Sequence, residues 1–116
     1  VPDTLNQEGT ERVFHELNEL SAEYAEAEAN RVYLSEFRKS KKAILMKSAA
    51  AKDPKLSAAA QERDAYAHPE YIELLKGLQV ATEKSLLCKH RMLNIKMRFE
   101  HWRTKQSNER AEKQLR

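Results

Sequence analysis

The sequence predicts an all-α protein: a long antiparallel helical hairpin, coiled-coil-like, closed by a short connecting helix. Composition gives the first reason. Charged residues make up 34% of the 116, against only 2 Gly and 3 Pro, the make-up of long helices rather than of a turn-rich sheet protein. Periodicity gives the second. Alternating steps of three and four residues pick out Tyr71, Leu74, Leu78, Ala81, Ser85, Cys88, Met92, Ile95, Phe99 and Trp102. Only Ser85 departs from apolar character, so one stripe of a helix faces one partner.

Charge order gives the third. The formal net charge is +3, but residues 1–30 carry −7, residues 31–60 carry +6, residues 61–83 carry −3 and residues 84–116 carry +7. Folded back antiparallel, the acidic start of the first helix lies beside the basic end of the last. Likewise the basic residues 38–47 lie beside Glu70, Glu73 and Glu83. A parallel pairing sets like charges side by side along the whole length, which is unfavourable even though each exposed pair is worth only about 0–1 kcal/mol.

Residues 1–9 are expected to form a frayed lead-in ending at Gly9. Thr10 then suits an N-cap, with Glu11 in the first turn where the helix dipole favours an acid. A first helix is predicted over about 10–51, with Val13, Leu17, Leu20, Tyr24 and Ala27 on its seam. Arg31 interrupts that seam, and Leu34, Phe37, Ile44 and Leu45 resume it. Asp53-Pro54 marks a stop and a new start, giving a short helix over about 54–67. His68-Pro69 repeats the punctuation, because proline disfavours helical geometry in the residue before it. The last helix is predicted over about 69–112. Gly77 inside it costs about 1 kcal/mol relative to Ala, which implies either close packing or tolerance. By length the chain is one domain.

Several classes of function are disfavoured. No apolar run approaches the roughly 20 residues that span a bilayer. Residues 1–10 are polar and carry no basic n-region, so no secretory leader is expected in them. The chain begins at Val1 without an initiator Met, which points to processing or trimming and leaves open whether residues lie upstream. The single cysteine, Cys88, precludes an intrachain disulfide and suits a reducing, cytoplasmic setting. No metal site is expected. Cys88 and His90 lie on different helix faces, and His15-Glu16-x-x-Glu19 lacks the second His of a zincin pair. Ser and Cys have no adjacent base or Gly-rich loop, which argues against an enzyme, a cofactor or a small-molecule substrate.

The basic segments carry more information. Residues 38–47 place five positive charges in ten positions. Farther on, Arg98, His101 and Arg103 interleave with Phe99 and Trp102. Basic groups track phosphates and exposed aromatics stack bases, although Phe99 and Trp102 fall on the seam and are better placed for core packing. Arg38, Lys39, Lys41, Lys42, Arg98 and Arg103 are therefore the candidate contacts to nucleic acid or to an acidic protein partner. Leu75, Leu86, Leu87 and Leu93 widen the apolar arc of the last helix beyond what one facing helix covers. Unless the short helix covers it, a homo-oligomer through Leu75, Leu86 and Leu93 is expected.

Three segments carry a family resemblance: Tyr33-Leu34-Ser35-Glu36-Phe37-Arg38-Lys39-Ser40-Lys41-Lys42, then Glu62-Arg63-Asp64-Ala65-Tyr66-Ala67-x-Pro69-Glu70-Tyr71, and Trp102-Arg103-Thr104-Lys105-Gln106-Ser107-Asn108-Glu109-Arg110-Ala111. Together they resemble small, uncharacterised helical proteins of tailed bacteriophages, encoded near recombination or single-strand DNA-handling genes. The likeness covers about residues 30–112 and leaves out the acidic first thirty. It implies the host-cell cytoplasm and a non-enzymatic accessory role in phage DNA recombination or replication, with nucleic acid or a DNA-metabolism protein as partner. It supplies no catalytic residues. The alternative expectation is a structural, self-associating helical module without a nucleic-acid role.

Overall fold

The computed structural model describes residues 7–115. Three α-helices account for nearly all of them: α1 (Gln7–Lys52), α2 (Ala58–Ala67) and α3 (Pro69–Leu115), an all-α helical hairpin with a short connecting helix. The described chain divides into two compact units, one of residues 26–85 and one pairing residues 7–25 with residues 86–115.

The unit of residues 26–85 holds the connection. Here α1 and α3 run in opposite senses, since Glu28 meets Ser85 and Lys41 meets Glu70. α1 ends as Asp53 N–H donates to the Ala49 carbonyl. Asp53 then accepts from two following amides: its carboxylate from Lys55 N–H at 3.1 Å and its carbonyl from Leu56 N–H. Pro54 therefore lies in a turn and does not open the short helix as expected. That helix starts at Ala58, where Ser57 caps it by accepting from Ala60 N–H at 3.2 Å. The cap decides the start because it satisfies an amide that would otherwise lack a partner.

His68 joins α2 to α3 alone. Its N–H donates to the Ala65 carbonyl while its own carbonyl accepts from Tyr71 and Ile72 N–H. Its Nδ1 accepts from Glu70 N–H at 3.1 Å. The extended backbone at His68, φ −67° and ψ 135°, is what a following proline imposes. Around this junction Leu45, Ala65 and Tyr71 form a buried cluster with Met46 against it. Tyr66 meets Tyr71 edge to face at 5.3 Å between ring centres.

Farther along the same unit a polar cluster crosses the seam. Glu28 takes the Arg31 guanidinium through Nε (3.1 and 3.0 Å) and through a terminal nitrogen. Its Oε2 also accepts from the Ser85 hydroxyl at 2.5 Å, and Ser85 is only 3% exposed. Arg31 and Ser85, the two interruptions of the apolar pattern, thus meet on one carboxylate. Gly77 is tolerated rather than required: a methyl group built on it meets nothing nearer than a Leu34 methyl at 4.0 Å.

In the other unit Phe14 meets Phe99 and Glu23 meets Cys88, again antiparallel. Val13, Leu20 and Cys88 are buried, and the thiol points at the Glu23 carboxylate (Sγ–Oε2 3.9 Å). Phe14 and Phe99 pack edge to face at 5.6 Å, and Phe99 leads to Trp102 at 5.8 Å. The indole N–H of Trp102 is buried and has no acceptor among the described residues.

The α3 stripe is buried or half-buried at each of the positions expected of it. Other expectations need correction. α1 already includes Gln7, Glu8 and Gly9, so Thr10 lies inside the helix and is no N-cap; the rest of the expected lead-in falls outside the described residues. α3 runs on to Leu115. Ile44 is 54% exposed and Leu45 5%, so Leu45 alone holds the seam there. Half-buried Lys41, one turn earlier, takes the preceding seam position with its ammonium drawn toward Glu70.

Candidate nucleic-acid interface

The six basic candidates fall into different electrostatic situations. In the unit of residues 26–85, Lys41 pairs with Glu70 at 3.2 Å and Lys42 with Glu62 at 3.1 Å. Both lysines are partly buried, because they reach across from α1 to the start of α3 and to α2. The Lys42 ammonium also lies 4.8 Å from the centre of the Tyr66 ring. Hydrogen bonding to Tyr66 first, and to Glu62 next, raises its pKa above the ordinary 10.5. Lys39 pairs with Glu36 one turn back, at 3.4 Å on the exposed surface. Arg38 has no ion pair with a described residue. With Lys39, Lys42, Met46, Tyr66 and Tyr71 it lines an open groove of about 560 Å³. Lys41 and Lys42 thus tie helices together, Lys39 pairs within α1, and Arg38 is the one of these four candidates without an ion pair to a described residue.

In the unit of residues 7–25 and 86–115 the acidic start of α1 lies beside the basic part of α3, as the charge order predicts, with Glu16, Glu19 and Glu23 sharing a groove with Arg91 and Arg98. No ion pair links the two helices among its described residues. The helices touch there through apolar side chains, and the charges act at longer range. Arg98 lies in a groove of about 390 Å³ with Arg91 and the acids Glu16, Glu19 and Glu23. Arg103 lines a shallow hollow with Glu100, Thr104 and Ser107. His15, half of the incomplete zincin pattern, pairs with Glu19 at 3.1 Å on the surface.

The apolar candidates are exposed. Leu75 is 38% accessible, and Leu86 and Leu93 are each 48%. α2 buries Ala65 in a cluster with Leu45 and Tyr71 at the junction. Sequence reasoning missed two neighbours of this arc, Ile72 and Met97, at 42% and 68%. It also missed Phe14, 51% exposed although it touches Phe99. The signal was there: Phe14 follows seam residue Val13 by one position and so sits at the rim of the interface. No helix among the described residues is long and apolar enough to cross a membrane.

No family model matches the chain, and comparison with curated proteins and with solved structures finds no match in either.

Proposed function

We propose that this chain is a non-enzymatic accessory protein that binds nucleic acid through basic side chains on its helices. The supporting observation is that Arg38 and Arg103 are exposed and have no ion pair with a described residue, whereas Lys39, Lys41 and Lys42 are each paired with a carboxylate and Arg98 faces Glu16, Glu19 and Glu23 across a groove. Cations without a local counter-charge gain most from phosphate, with release of the counterions that phosphate holds. In the setting the phage resemblance implies, this is a host-cell cytoplasmic role in DNA recombination or replication. Fluorescence anisotropy of the full chain with labelled single-stranded and duplex DNA tests it. Binding that weakens steeply with salt is expected. Absence of binding to both DNAs at low salt removes the reading.

A second reading is supported by the exposure of Leu75, Leu86 and Leu93: a module that self-associates through α3, as a structural or adaptor element. Sedimentation across a wide concentration range separates it from the first, and a strict monomer at high concentration counts against it.

A further inference from the structure

The two flanks of the α3 seam differ in what lies opposite them. In the unit of residues 7–25 and 86–115, Arg91 and Arg98 share a groove with Glu16, Glu19 and Glu23. That side is internally compensated. The opposite flank follows from the same repeat, since Lys89, Lys96, Arg103 and Arg110 each come one position after the seam residues Cys88, Ile95 and Trp102 and the next in phase, Glu109. All four are exposed, and none has an ion pair with a described residue. Recurring every seven residues, they stand about 10.5 Å apart along the helix.

What α1 sets against this flank is Phe14 and Ser21, each one position after a seam residue, Val13 and Leu20. The acids on α3 beside this flank are Glu100, four residues after Lys96 and three before Arg103, and Glu109, next to Arg110. Phe14 touches Phe99, which lies between Lys96 and Arg103 in sequence. Phe14 as a residue is 51% exposed. An exposed ring between cations spaced along a rod is the combination that holds unpaired bases: cations follow the backbone and the aromatic face accepts a base. In a duplex the faces of the bases are stacked on one another and not presented to a ring.

We infer that the flank of α3 carrying Lys89, Lys96, Arg103 and Arg110, together with Phe14, is a binding track for single-stranded nucleic acid. The inference rests on the nucleic-acid reading above and names its substrate class and its path. Arg98 belongs to the compensated flank and lies off this track.

Anisotropy titrations of the full chain with a labelled oligothymidine and a duplex of equal length, over a salt series, test it. Wild type is expected to hold the single strand more tightly than the duplex. Lys96→Ala/Arg103→Ala is expected to flatten the log–log salt slope by about 1.4, since each phosphate contact on a single strand contributes about 0.7. Arg91→Ala/Lys105→Ala removes equal charge from the other flank and should leave the slope close to wild type. Phe14→Leu keeps an apolar contact for Phe99 and is expected to weaken single-strand binding roughly five- to 150-fold without changing the slope. Circular dichroism confirms that each variant is folded. Equal slope changes from the two double variants, an unaffected Phe14→Leu, or a preference for duplex overturns the track while leaving nucleic-acid binding in place. No binding by wild type to either DNA overturns both.

Discussion

The carboxylate of Glu28 offers a quantitative test of how this hairpin is held. It joins Arg31 and Ser85, so replacing it with Ala removes a partner from each. The Arg31 side chain is 36% exposed and can turn to water, so its loss is at most about 1 kcal/mol. Ser85, at 3% exposure, has no such escape. An unsatisfied buried hydroxyl costs about 1–3 kcal/mol, toward the lower end if it turns back to a carbonyl one turn earlier in α3. Glu28→Ala is therefore expected to destabilise by about 2–3 kcal/mol. Ser85→Ala alone leaves the Glu28–Arg31 pair intact and should cost about 1 kcal/mol. The double variant removes the hydroxyl together with its acceptor, so it should be no less stable than Glu28→Ala. Urea unfolding followed by circular dichroism at 222 nm supplies the double-mutant cycle. A coupling of about 1 kcal/mol or more is expected. If the two costs simply add, within about 0.5 kcal/mol, Ser85 and Glu28 do not act together and the reasoning fails.

Other perturbations have equally definite outcomes. Gly77→Ala should stabilise the fold by about 1 kcal/mol, because the added methyl meets only ordinary contact with Leu34; a lower thermal midpoint would show hidden crowding. Ser57→Ala should cost about 1 kcal/mol through loss of the α2 cap, seen as faster amide exchange at Ala60. The raised pKa of Lys42 sets the sign of a pH effect: its contribution is complete below 10.5 and is lost as pH rises through the higher folded value. Lys42→Met should therefore flatten the alkaline limb of a stability–pH curve and leave its shape unchanged near neutrality. Trp102→Phe removes an indole N–H that lacks an acceptor, so it should destabilise clearly less than Trp102→Ala in the same urea assay.

How far the residues announced this architecture depends on which link is asked about. The α3 stripe was legible position by position, because no proline interrupts the three–four alternation and the apolar residues on it are unambiguous. At Ile44 and Leu45 two adjacent large side chains competed, and hydrophobicity alone does not say which faces inward. Half-buried Lys41 settles the phase, but only its reach to Glu70 shows that. Asp53-Pro54 suggested a helix start by local rule, whereas the Ser57 hydroxyl captured the first turn four residues later. Arg31 and Ser85 each looked like a flaw in its own segment. Their shared carboxylate is a property of register between distant stretches, which a local pattern does not contain. The candidate basic residues were legible as charges but not as paired or unpaired, since that depends on which acids the fold brings opposite.

His68 closes one helix and opens the next with no intervening residue, so the junction between α2 and α3 has no slack. Lengthening the chain there by even one residue would separate the two sets of hydrogen bonds that His68 now makes from a single residue. It would also rotate Tyr66 away from Tyr71. The segment between Asp53 and Ser57 is a true loop, and an added residue can bulge outward there. Epitope tags, labels or domain insertions should therefore be accommodated on the α1 side of the short helix and refused on the α3 side.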